Sequence, residues 1–420
     1  MKSERLRKGL GVLLSILALL INYSPQVQAV RCLPDTIVLR AGQSHELDLG
    51  LSMEVQVSDG SLSVLSSTDE SLQHAKNVRL QAEEEGTSTI NLKWMGLPMK
   101  SLSVEVAPER ILIPGGHSIG VALETNGVLV VGTSEISGAQ GGSPAYAAGL
   151  RPGDLIQTVD NIPVESTSQL TSMINSSSGK QVEIRFLRKN QLQLANVTPV
   201  LDRLDGTYRL GIWVRDSTAG VGTLSFYDPQ NQRYAALGHA ITDVDTGTNL
   251  TVRQGRVLFS EVLDIIKGKK GQPGELRGSF LRDPKVFGNI IDNTDYGVTG
   301  ETTESIANAL YPNGLPVGSQ ANVHTGAATI LTTLDGEGIK EYDIEITRVN
   351  HQTEPGQKSM TLLVTDPELL EKTGGIVQGM SGSPIIQDGH IIGAVTHVYV
   401  NDPTQGYGLF IEWMLGQTDA

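Results

Sequence analysis

"GGIVQGMSGSPIIQDGHIIGAV", Gly374 to Val395, places a serine between glycines, follows it with Ser-Pro, and runs through a turn into an apolar strand. Two readings compete for Ser381: a small residue in a tight turn, or an exposed nucleophile. A serine hydroxyl is a weak nucleophile at neutral pH. It needs a base to take its proton, a group to orient that base, and donors for the oxyanion that forms. Gly379 permits the tight backbone that would aim the N–H groups of Gly379 and Ser381 into one oxyanion hole. Gly382 is expected to leave room for substrate. Ser383, beside Pro384, reads as structural.

The stretch is similar to the nucleophile loop "GDSGGP" of chymotrypsin-like serine peptidases, with Met380 and Ser383 as departures. "GYGLFIEWM", Gly406 to Met414, resembles the closing segment of such barrels. A base must come from elsewhere. His239, in "YAALGHAITDVDTG", follows an apolar strand and precedes an Asp/Gly turn; His324, in "NVHTGAA", competes with it. His390 and His397 follow Ser381 so closely on an outgoing strand that they read as unable to swing back, and His351 sits in a polar loop. For the acid, Asp243, Asp245, Asp292, Asp295 and Asp366 are all available. "TDPELLEKTGG" also has a plain structural reading: Asp366 as N-cap, Pro367 as first helical residue, Gly374 as terminator.

The 420 residues suggest two or three domains. With 47 glycines, few aromatics and many short Val/Ile/Leu runs between turn residues, the chain reads as mainly β. A formal charge of −14 argues against nucleic-acid binding. One cysteine excludes an intrachain disulfide. No H-E-x-x-H occurs, since "HEL" at His45 lacks its second histidine, so neither metal nor cofactor is expected. Residues 1–29 read as an export signal or N-terminal membrane anchor: Lys2, Arg5, Arg7 and Lys8, an apolar run from Gly9 to Ile21, then the small-residue cleavage pattern Val27 to Ala29.

Residues 30–108 alternate as strands and predict a β-sandwich-like region. Residues 109–200 are more specific. "AYAAGL" predicts a short helix ended by Gly149, "RPGD" a turn, and "LIQTV" a strand. Ser166 with Gln169 three later predicts a capping box for a helix carrying Leu170, Met173 and Ile174 on one face. This order resembles a PDZ domain of the kind found in bacterial proteases, most specifically in "AAGLRPGDLI". The resemblance implies that an extended peptide adds as a strand to a sheet edge. By position, its carboxylate would lie in the loop Gly116, His117, Ser118, Ile119, Gly120, with the edge continuing from Val121 and a helix wall of Leu170 and Ile174. Residues 201–420 predict an all-β double barrel of the chymotrypsin type.

The whole order, with "ALGHAITDVDTG" and "VQGMSGSPIIQ", resembles the stage IV sporulation protein B family of serine peptidases. That resemblance implies a triad of His239, Asp366 and Ser381, with the cap reading of Asp366 still open. It further implies a sporulation signalling protease, exported into the forespore intermembrane space and able to cleave itself near its N-terminus. Its target would be the extracytoplasmic part of a membrane protein that inhibits an intramembrane metalloprotease; cutting it would release processing of a late sigma-factor precursor. The PDZ domain would select the target or hold the protease's own peptide tail. The alternative is a PDZ adaptor with an inert protease-like domain.

Overall fold

The computed structural model describes residues 15–16, 19–20, 22–58, 62–66, 75–137, 142–280 and 286–418. Most of the expected signal segment lies outside them. Its cleavage pattern does not: Val27 to Ala29 falls inside the helix Pro25–Cys32, capped by Ser24, with Val27 and Val30 buried. No helix among the described residues is long and apolar enough to cross a membrane.

The chain divides into two compact units. The first comprises residues 1–111 together with 316–323. Six strands run in the order Thr36–Arg40, Leu97–Ala107, Gly86–Trp94, Ser44–Ser58, Ala75–Ala82, Leu62–Ser66. The first pair is parallel and the rest are antiparallel. Ser44–Ser58 is shared between two pairings. Ser44 to Asp48 pair with Ala75–Ala82, and Glu54 to Ser58 pair with Gly86–Trp94. Gly50, at φ +66°, lies between the two halves in a conformation that favours glycine. Both halves bury their alternate residues in one core that includes Leu47, Leu49, Leu80, Ile90, Leu92 and Leu102. The segment 316–323 belongs here: Gln43 Nε2 donates to the Val317 carbonyl at 2.8 Å, and His45 Nδ1 meets Asn322 Oδ1 at 2.9 Å.

The second unit, residues 112–315 and 324–420, holds the PDZ region and two barrels. Two long strands serve both the PDZ region and the first barrel. Ser118–Thr133 pairs along almost its whole length with Ile212–Asp228. Its second half also pairs with Leu155–Val159, which leads through Val182–Arg188 to Gln191–Val197. Beside this sheet lies the helix Thr167–Ser176. Ser166 Oγ accepts from Gln169 N at 3.2 Å, and Gln169 Oε1 accepts from Glu165 N at 2.8 Å, so the side chains at 166 and 169 cap the helix together. The "RPGD" turn closes on buried Asp154, which accepts from Arg151 N and from the Arg188 guanidinium by two bonds of 2.7 Å. Such a forked pair fixes the turn against the sheet as well as neutralising the buried charge.

The first barrel continues from the same two strands. Its order is Val252–Ile266, Ser118–Thr133, Ile212–Asp228, Arg233–Ala236, Gly297–Glu301, Asp292–Thr294. Val286–Asn289 pairs with Val252–Ile266, and Gly288 bridges to Thr302, which rounds the sheet. The second barrel is closed, in the order Gly326–Thr333, Ile339–Val349, Met360–Val364, Gln405–Phe410, His390–Val398, Pro384–Gln387.

Candidate active site

The Ser381 loop is docked onto the first barrel. Thr223 N donates to the Ser381 carbonyl at 3.0 Å, and Thr223 Oγ1 donates to the Gly379 carbonyl at 2.7 Å. Gln378 donates to Gly274 and accepts from Leu276, so the hairpin arm Glu275–Phe280 clasps the loop from another side. Gly379 sits at φ +98° over Leu276. Among the described residues the N–H groups of Gly379 and Ser381 have no protein acceptor. Gly382 corrects the expectation of room for substrate. A Cβ there would lie 2.1 Å from the Thr223 carbonyl oxygen and 2.5 Å from Leu237 N. The glycine lets the loop and the first barrel meet backbone to backbone.

His239 is carried on the turn after Arg233–Ala236. Leu237 and Gly238 both have positive φ, +70° and +69°. For a leucine this is a strained conformation. It is held there by its N–H, which donates to the Thr223 carbonyl at 3.2 Å, and by its side chain, which fills the space left by Gly222. Thr223 therefore anchors both the serine loop and the histidine turn. His239 Nδ1 lies 2.8 Å from the Ala240 carbonyl. A carbonyl only accepts, so Nδ1 carries the proton and Nε2 keeps its lone pair, the tautomer a general base requires. Burial holds this imidazole below its ordinary pKa, and the Ala240 bond offsets that only in part.

The histidine set aside on sequence grounds, His397, is the one the structure brings beside His239. The rings of His239 and His397 lie 5.2 Å apart, tilted by 40°. Ser381 Oγ donates to the carbonyl of Thr396, the residue before His397, at 2.7 Å. The signal was present in the sequence. Pro384–Gln387 and His390–Val398 form a hairpin around Asp388-Gly389, in which Pro384 pairs with Ala394. Extending that register three residues sets Ser381 level with His397. An outgoing strand of a hairpin returns past the residues that precede the first strand.

Asp366 is not joined to His239. Its Oδ1 accepts from Leu369 N at 2.9 Å and its Oδ2 from Asp343 N at 3.4 Å, at the head of helix Pro367–Thr373, which ends at Gly374 with φ +75°. The structure therefore places Asp366 as a helix cap, because both oxygens serve backbone N–H groups. Three of the other acids are engaged elsewhere, and Asp292 lies in the strand Asp292–Thr294 of the first barrel. Asp243 and Asp245 hold Arg215, and Asp295 accepts from Asn249. His324 pairs with Asp388 at 2.8 Å on the surface.

The peptide loop assigned from sequence needs correction too. Gly116, His117, Ser118, Ile119, Gly120 and Val121 belong to the first barrel. From Ser118 onward the strand pairs with Val221 to Thr223 on one side, and Ile119 to Val121 pair with Val257 to Phe259 on the other, so no strand can add there. Gly116 is wedged against Leu331 and Ile339, and His117 is packed beside Phe259. Leu170 and Ile174 are core residues of the PDZ region. The open edge beside helix Thr167–Ser176 is instead Ile212 to Asp216, which pairs only with Ser118–Thr133 among the described residues. It is entered through Gly211 at φ +73°, and Asp216 Oδ2 accepts from Thr167 N at 2.7 Å at the head of that helix.

A PDZ fold is joined to two barrels, with a glycine-bounded serine on one barrel and a histidine turn on the other, an architecture of the double-barrel peptidase kind. The chain belongs to the SpoIVB peptidase S55 family, whose model matches residues 206–415. A PDZ-domain model matches residues 135–188. Among curated proteins the chain is 29% identical over 112 residues to a putative zinc metalloprotease of Lactococcus lactis, covering 27% of this chain and 24% of that one. It is 31% identical over 99 residues to a probable periplasmic serine endoprotease DegP-like of Chlamydia trachomatis, covering 24% and 16%. The chain thus spans less than a quarter of the length of these relatives. Among solved structures it is similar to the PDZ domain of an SdrC-like protein from Listeria monocytogenes (25% identity, 21% of this chain, 87% of that chain, TM-score 0.18). It is also similar to the active form of the Rv3671c protease from M. tuberculosis (17% identity, 48% and 74% covered, TM-score 0.30).

Proposed function

We propose that this chain is a serine endopeptidase in which Ser381 attacks and His239 is the base. The observation that carries the reading is the docking of both on Thr223, which sets a nucleophile loop from one barrel against a histidine turn from the other. In the attack, the Ser381 hydroxyl leaves Thr396 and gives its proton to His239 Nε2 while Oγ bonds to the substrate carbonyl carbon. The carbonyl oxygen takes the negative charge and is received by the N–H groups of Gly379 and Ser381. His239 then passes the proton to the departing amine nitrogen as the C–N bond breaks, and water repeats the sequence on the acyl-enzyme.

The family points to a setting: export across the cytoplasmic membrane, and cleavage of the extracytoplasmic part of a membrane protein that restrains an intramembrane metalloprotease during sporulation. Self-cleavage near the N-terminus belongs to the same reading. The PDZ region would hold a peptide, its own tail or the target's, on the open edge Ile212 to Asp216. Labelling with a serine-directed fluorophosphonate tests the enzyme reading. Labelling that is lost in Ser381→Ala is expected; no labelling of the wild-type chain would leave the alternative, a PDZ adaptor with an inert barrel pair.

A further inference from the structure

We propose that His397 is a positioning residue of the peptidase site. Its ring holds the imidazole of His239 in place, while the adjoining Thr396 carbonyl holds the Ser381 hydroxyl. The inference rests on the peptidase reading above and adds the group that steadies its base.

A catalytic imidazole needs a fixed tautomer, a fixed plane, and an environment that tolerates the cation it becomes. The Ala240 carbonyl answers the first requirement through Nδ1. It comes from the neighbouring residue of the same turn and leaves the ring plane to be set by what lies against it. No carboxylate among the described residues bonds to His239. The ring contact seen against it is that of His397, 5.2 Å away.

His397 has no other evident task. It is exposed near the end of its strand, and its side chain makes no hydrogen bond among the described residues. Its neighbour Thr396 is buried, with its single Oγ1–H directed at 3.3 Å to the backbone carbonyls of Gln357 and Tyr407, so the strand beneath His397 is fixed by Thr396. Although one side of the ring is open to solvent, desolvation of the rest, and after it the charges of His239 and Lys358, hold its pKa below the ordinary value, which favours the uncharged ring. Aromatic rings within about 6 Å of a cation attract it through their faces, Trp, Tyr and Phe most of all, and the His397 ring lies 5.2 Å from His239 at a 40° tilt. When His239 takes the Ser381 proton, His397 is placed to offset part of the cost that burial imposes on that charge. The proton moves from Ser381 Oγ to His239 Nε2 and then to the leaving nitrogen; His397 exchanges none.

The experiment compares fluorophosphonate labelling rates of the full chain as wild type, His397→Ala and His397→Phe, with thermal midpoints alongside. The expected result is a loss of about tenfold in His397→Ala, toward the upper end of what a desolvated ring–cation contact supplies. Recovery to within about threefold of wild type is expected in His397→Phe, which keeps a ring without its nitrogens. All three midpoints should coincide, because the side chain is exposed. A His397→Ala rate within about twofold of wild type, or a Phe variant as slow as Ala, would overturn the inference while leaving the peptidase reading intact. A wild-type chain that does not label would overturn the peptidase reading, and this inference with it.

Discussion

The Ser381 hydroxyl donates to the carbonyl of Thr396 at 2.7 Å, so the proposed nucleophile rests on the returning strand of its own hairpin. In the proposed attack that bond is broken. It also means that Ser381 contributes one hydrogen bond to the resting fold. Ser381→Ala should therefore lower stability by only about 1 kcal/mol in a denaturant titration, while abolishing labelling. A loss several times larger would assign the serine a structural role.

His239 must be neutral to accept a proton. Burial favours the neutral imidazole, so it stays available to lower pH than an ordinary histidine. A titratable ring beside it is His397, itself under the influence of Lys358. The acid limb of the labelling rate should have its midpoint below the ordinary imidazole value of about 6.5. A midpoint above that value would place the base elsewhere.

Asp366 caps helix Pro367–Thr373 through Leu369 N. Asparagine caps about as well as aspartate, whereas alanine loses about 1 kcal/mol. Asp366→Asn should unfold with the wild type and Asp366→Ala should unfold earlier by that amount. If Asp366→Asn keeps its stability yet labels far more slowly, the carboxylate does more than cap, and the family's triad assignment gains the support that the resting geometry withholds.

His117 is partly buried beside Phe259 with Nδ1 unpartnered, and desolvation, opposed in part by a backbone hydrogen bond with Ala307, lowers its pKa to about 4. The unfolded chain protonates this ring near 6.5, so between the two values the unfolded state binds more protons. The stability is fully present above about pH 6.5 and declines as pH falls toward 4, by roughly 3 kcal/mol for a shift of this size. His117→Phe should flatten that part of the stability–pH curve. An unchanged acid slope in the variant would show that other groups produce it.

Peptide binding by the PDZ region should slow hydrogen exchange at Ile212 to Asp216 and leave Gly116 to Val121 unaltered, because only the former has an unpaired edge. Protection confined to Gly116–Val121 would mean that the barrel strand opens to admit the peptide.

Much of this protein was determined by local sequence. "AAGLRPGDLI", the Ser166 and Gln169 cap, the helix after Asp366 and the hairpin after Ser381 all depend on contacts within a few residues: turn chemistry, capping and alternation. Such features are legible because partners and spacing lie in one stretch. Three matters depended on the tertiary structure. The strand beginning at Ser118 looked like an edge because its two partners, Ile212–Asp228 and Val252–Ile266, come from 90 or more residues further along. Gly382 looked like space for substrate because the Thr223 backbone that fills it lies in the other barrel. His397 looked misplaced because distance was judged along the chain, whereas the hairpin returns it to the level of Ser381 and beside His239. A residue's type and its immediate neighbours decide local geometry; which strand flanks it, and which ring faces it, is decided only when the sheet closes.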